Sequence, residues 1–148
     1  MRTQNEADAP PTTASESEPF TVLRRLHEAL ESGGHGEQLR ELFAPEAELV
    51  ERPNVLKPDG ATATVGDMIA ASTAGASLLA VQRYAVHACV TAGDEVAVRL
   101  TWEGEVAADA GPFRRGQMLT AHIAQFATVQ DGRIVRLETF DCYEPFDR

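Results

Sequence analysis

The sequence has no stretch of about 18 apolar residues, so it offers no transmembrane helix. It is short of bases: 13 Lys and Arg stand against 23 acids, for a net charge of −10. A surface of that sign is repelled by nucleic acid and by anionic membranes, so neither is expected as a partner. Cys89 and Cys142 are two scattered thiols, and the four His are scattered too. No CxxC or HExxH spacing occurs, so a zinc site is not expected. There is no glycine-rich phosphate loop and no other cofactor signature, and no cofactor is expected. The first 19 residues, MRTQNEADAPPTTASESEP, lack the apolar core of a signal peptide. With no secretion signal, reduced thiols and a cytoplasmic location are expected.

What is present is one domain's worth of chain, 148 residues with 43% apolar content. Residues 1–18 are rich in Ala, Pro, Thr, Ser and Glu. They cannot bury enough apolar surface to offset the entropy of ordering, and they read as a disordered tail ahead of a domain over 19–148. Leu23, Leu26 and Leu30 recur at helical spacing, predicting a helix from Phe20 to Glu31 that stops at Ser32-Gly33-Gly34. A short second helix is expected over Glu37–Phe43, ended by Ala44-Pro45, then a strand over Ala47–Arg52 and a loop through Gly60. Thr64 and Asp67 have the spacing of a capping box, starting a third helix that breaks near Gly75.

Four strands follow as a meander. Val81–Thr91 turns at Ala92-Gly93-Asp94 into a strand reaching Val106. A three-residue turn there keeps Tyr84, Trp102, Val86, Leu100, Ala88 and Val98 on one apolar face, and pairs His87 with Arg99 on the other. The closing stretch, Gln117–Glu144, flanks Asp131-Gly132, a strong hairpin signal. A two-residue turn pairs Thr128 with Val135, Phe126 with Leu137, Ala124 with Thr139, and His122 with Asp141. That face is the better candidate for an interior, and it ends in an imidazole opposite a carboxylate. A one-residue shift would send His122 to the other face and leave Asp141 without it. Helices first and antiparallel strands later predict an α+β fold, with the helices on one face of a curved sheet.

Three stretches, LRELFAPEAELVERP, GDEVAVRLTWEG and DGRIVRLETFD, together with their spacing, resemble the nuclear transport factor 2-like superfamily in its SnoaL-like form, which includes polyketide cyclases and ketosteroid isomerase-like proteins. The likeness spans residues 20–146. It implies a cone of about three N-terminal helices on a curved, mostly antiparallel sheet enclosing an apolar pocket. It also implies that Asp141 is the acid/base residue of a SnoaL-like cyclase. In ketosteroid isomerases the base is an Asp directly before Pro; here Arg52 precedes Pro53, which argues against that chemistry.

The residues then divide by role. Asp141 and His122 form an acid/base unit in which the carboxylate orients the imidazole. Glu51 is a second carboxylate if the strand reading holds, and otherwise a solvated one. Tyr143 extends the Asp141 face, and Tyr84 shares a face with Trp102; each either meets a substrate or packs. Trp102, Leu100, Met118 and Phe126 line a cavity or fill a core. Asn54 either orients a carbonyl or makes an Asx turn. His27 and His35 read as solvated, His87 as surface. The expected function is an antibiotic-type tailoring enzyme, a cyclase acting on a hydrophobic small-molecule substrate of polyketide type. The alternatives are a non-catalytic binding or assembly domain, and an epoxide hydrolase or isomerase. The mixed outer sheet face, with Ala, Ile, Phe and Cys, suits a homodimer interface.

Overall fold

The computed structural model describes residues 18–147. The tail expected over residues 1–18 lies outside the described residues, except for Glu18, which opens the first helix. That helix, α1, runs Glu18–Glu31. A 3-10 helix follows at Gly36–Leu42, then β1 (Phe43–Glu51), β2 (Ala61–Ala63), α2 (Val65–Gly75), β3 (Leu79–Ala92), β4 (Glu95–Val106), β5 (Met118–Gln130) and β6 (Arg133–Tyr143). The strands form one sheet of order β2-β1-β6-β5-β4-β3. All neighbours are antiparallel except β1 and β6, which run parallel. The architecture is α+β, three helical segments on a six-stranded, mostly antiparallel sheet.

The helices sit where their apolar spacing puts them. Val22, Leu23 and Leu26 of α1 pack on Val96, Val98 and Leu100 of β4 and on Ala121, Ile123 and Ala127 of β5. Burying an aliphatic side chain of this kind contributes about 1.5–3 kcal/mol. The capping box at the start of α2 forms as the spacing predicts: Asp67 N donates to Thr64 Oγ1 at 3.1 Å, and Thr64 N to Asp67 Oδ2 at 3.1 Å. Pro45 does not end a helix; it lies inside β1, where pairing with β6 breaks between Phe43 and Glu48. A residue with no N–H is tolerated at such a gap.

Two bulges correct the predicted registers. Near its turn the β3–β4 hairpin pairs Ala92 with Glu95, so the turn has two residues, not three. The register then shifts between Val86 and Ala88, which restores Val86 to Leu100 and Tyr84 to Trp102. Those outer pairs are as expected; Ala88 instead faces Arg99, and His87 is the extra residue. The second bulge has larger consequences. Asp131-Gly132 makes the expected two-residue turn, with φ of 53° and 76°, values that Asp and Gly tolerate. Gln130 pairs with Arg133 and Val129 with Ile134 as predicted, but Thr128 then pairs with Arg136. One extra residue, Val135, has entered β6. Beyond it every predicted pair is off by one, and the inward face of β5 is Leu119, Ala121, Ile123, Gln125, Ala127 and Val129.

Candidate functional site

Asp141 lies on the inward face of β6, in line with Leu137, Thr139 and Tyr143, and its neighbour across β5 is Ile123. Apolar surroundings are poor hosts for a charge, and burial pushes its carboxyl above the ordinary Asp range. The Thr139 hydroxyl, which donates to Asp141 Oδ1 at 2.6 Å, and the Lys57 ammonium act in the opposite direction; the Glu51 carboxylate adds to the rise. The Tyr143 hydroxyl is likewise held up by burial and by the charges of Asp141 and Glu51. Thr139, Asp141 and Tyr143 thus line up along the inward face of β6.

Glu51 closes β1. Parallel pairing puts it beside Thr139 of β6. Its carboxylate receives the Asn54 amide at 2.8 Å and the Lys57 ammonium at 3.1 Å. Asn54 does form an Asx turn, its Oδ1 accepting from Leu56 N and Lys57 N. The same side chain therefore shapes the loop and steadies Glu51. Next to this corner opens a cleft of about 620 Å³ between α1, α2, β1 and β6. Its walls include Leu26, Leu30, Phe43, Leu49, Met68 and Leu137, and its polar end holds Glu51, Lys57 and Thr139. That size and balance suit a small apolar ligand with a few oriented polar groups.

Deeper in, a polar web runs under α1. Trp102 Nε1 donates to Gln82 Oε1 at 2.9 Å, and the Tyr84 hydroxyl donates to the same oxygen at 3.3 Å. The Tyr84 ring stacks on His27 with centroids 4.6 Å apart. His27 is 0% exposed. Its Nδ1 faces the Arg24 guanidinium at 3.2 Å and its Nε2 faces Gln125 Oε1 at 2.7 Å. Arginine only donates, so Nδ1 accepts and Nε2–H donates to Gln125. The neutral ring is satisfied on both sides. Burial brings its pKa down to about 4, against the upward pull of the Gln125 hydrogen bond; the Arg24 charge is a smaller downward effect.

Several expected placements need correction. His122 does not face Asp141; the Val135 bulge pairs it with Cys142 and turns it outward. There its Nε2 meets Glu144 Oε2 at 2.8 Å, in solvent. Met118 and Phe126 turn outward for the same reason. Met118 is 47% exposed, and Phe126 meets Phe140 edge-on at 5.9 Å on the outer face. Leu100 is 1% exposed and belongs to the core. Tyr84, Trp102 and Tyr143 do face inward, and Trp102 meets Tyr143 edge-on at 6.3 Å. His27 is not solvated: it sits one residue after Leu26 and four after Leu23, on the apolar stripe. That spacing was the available signal. Lys57 and Thr139 carry no sequence signal of their own. His35 and His87 are exposed, as expected. Among the described residues, no group of three or more His, Cys, Asp or Glu could hold a metal ion, and no helix is long and apolar enough to cross a membrane.

Helices on one face of a six-stranded sheet, with a carboxylate near the end of the last strand, define a class of small α+β domains. The chain belongs to the SnoaL-like domain family, which matches residues 23–137. Among solved structures, it is similar to IdmH, a candidate polyketide cyclase of Streptomyces antibioticus. The two share 25% identity over 84% of this chain and 92% of that one, with a TM-score of 0.70. A candidate SnoaL-like polyketide cyclase of Jannaschia sp. CCS1 aligns at 17% identity over 90% and 91% of the two chains, TM-score 0.67. A candidate hydroxylase of Streptomyces galilaeus, AclR, aligns at 15% identity over 84% and 78%, TM-score 0.68. The last two likenesses bear on the fold alone. No curated protein matches the chain in sequence.

Proposed function

We propose that the protein is a cofactor-independent tailoring enzyme that closes a ring, or moves a proton, in a hydrophobic carbonyl-containing molecule of polyketide type. The observation that carries this reading is Asp141. It is a carboxyl pushed above its ordinary range by burial, on the inward face of β6, with Thr139 joining it to the polar end of an apolar cleft. Burial favours the protonated form of such a carboxyl, which suits it to proton transfer. The SnoaL-like family and the likeness to IdmH support the cyclase form of the reaction. His122 has no part in it. Tyr84, Trp102 and Tyr143 form the aromatic wall of a pocket in a cone-shaped domain, and Asp141 faces the reacting carbonyl. The enzyme acts in the cytoplasm as a homodimer, joined through the outer sheet face that carries Val90, Phe126 and Phe140.

The test is Asp141→Asn assayed on a panel of polyketide-type carbonyl compounds. Turnover should fall at least a hundredfold, with circular dichroism and oligomeric state unchanged. A fully active variant overturns the assignment. Ligand binding with no turnover by the wild type would favour a binding domain instead.

A further inference from the structure

Glu51 lines the polar end of the cleft, Asp141 adjoins it through Thr139, and the surroundings of the two carboxyls differ. Glu51 receives two donors, the Asn54 amide and the Lys57 ammonium. Asp141 receives one hydroxyl, from Thr139, has Ile123 as its neighbour across β5, and feels the Glu51 and Lys57 charges. The amide and the cation fix the orientation of the Glu51 carboxylate. A carboxyl in apolar surroundings favours its protonated form. Thr139 stands between them, beside Glu51 in the β1–β6 register and bonded to Asp141. Two carboxyls with opposed environments are the arrangement that divides acid from base.

We propose that Glu51 is the catalytic base and Asp141 the acid of one bifunctional site, and that the substrate carries an active methylene between two carbonyls. This rests on the cyclase reading above. A carboxylate is too weak a base for an isolated ketone, so the C–H it attacks must be flanked by two carbonyls. In the step, Glu51 takes that proton, and the electron pair released forms a carbon–carbon bond to a second carbonyl carbon of the same molecule. The π pair of that carbonyl moves to its oxygen, which takes the proton of Asp141. Product and substrate are isomers, so no oxidant or co-reactant is needed. Glu51 ends protonated and Asp141 ionised, and exchange with solvent at the open cleft resets both before the next turnover.

The division of labour is read with a probe that needs a base and little acid. 5-Nitrobenzisoxazole loses one C–H proton, its N–O bond breaks, and a coloured phenolate leaves. The wild-type full chain should open it faster than acetate at equal carboxylate concentration. Glu51→Gln should lose tenfold or more, Glu51→Asp should keep part of the rate, and Asp141→Asn should fall less than threefold. His122→Gln, on the outer face, serves as the unchanged control. Circular dichroism and the Trp102 emission confirm folding of each variant. A wild type no faster than acetate, or a Glu51→Gln variant as fast as wild type, overturns the inference. If the loss follows Asp141 instead, Glu51 is not the base, while the reading of Asp141 as the acid/base residue stands.

Discussion

Stability should fall on mild acidification because of one buried ring, His27. In the folded chain its pKa is about 4, against 6.5 for the free group. The unfolded chain therefore binds a proton between those values and the folded chain does not. The folded pKa is depressed, so the stabilising contribution is complete above pH 6.5 and is lost as pH falls towards 4. The full difference is 2.5 units, about 3 kcal/mol at roughly 1.4 kcal/mol per unit. Between pH 7.5 and pH 5 the loss should be about 2 kcal/mol. Asp141 acts oppositely: its raised pKa contributes stability at low pH that is lost as pH rises through the folded value. Comparison with His27→Gln removes that background. Urea unfolding at the two pH values is the assay, with a slope of about 1–3 kcal/mol per molar for a small protein. Wild type should be clearly more stable at pH 7.5, because the variant loses the Tyr84 stack and the Arg24 contact. At pH 5 the gap should narrow by about 2 kcal/mol. Parallel changes in the two proteins would show that His27 takes up its proton in the folded state, and would refute the reasoning.

Other outcomes follow from the same contacts. A Cβ at Gly104 would lie 2.5 Å from the Trp102 ring, so Gly104→Ala should displace the indole, break its bond to Gln82 and cost about 1–3 kcal/mol. Trp102 is the only tryptophan, and its fluorescence should shift to longer wavelength. Phe140, 38% exposed, sits in the proposed dimer face. Phe140→Glu should turn the dimer into a monomer in sedimentation experiments while leaving the unfolding midpoint of the domain within about 1 kcal/mol of wild type.

Much was legible from local pattern. The helix from Phe20 to Glu31, the Thr64 cap, the Asp131-Gly132 turn and the apolar face of β4 each follow from spacing within one segment, because helix and strand periods are properties of the backbone itself. The inward position of Asp141 was legible too, since β6 beyond its bulge keeps the predicted alternation. Its pairing with His122 was not. Strand register has period two, and one inserted residue at Val135 reverses every side chain of β5 relative to β6. Nothing local marks that insertion. The same holds for the carboxylate pair. Glu51 and Asp141 are 90 positions apart in the chain, and only the parallel alignment of β1 with β6 brings Glu51 beside Thr139, to which Asp141 is bonded. The sequence by itself determined the class of fold and one acid/base candidate. The tertiary structure alone decided its company: Thr139, Glu51 and Lys57 rather than His122. It also buried His27, whose helical spacing hinted at the core but whose two hydrogen-bond partners depend on the sheet.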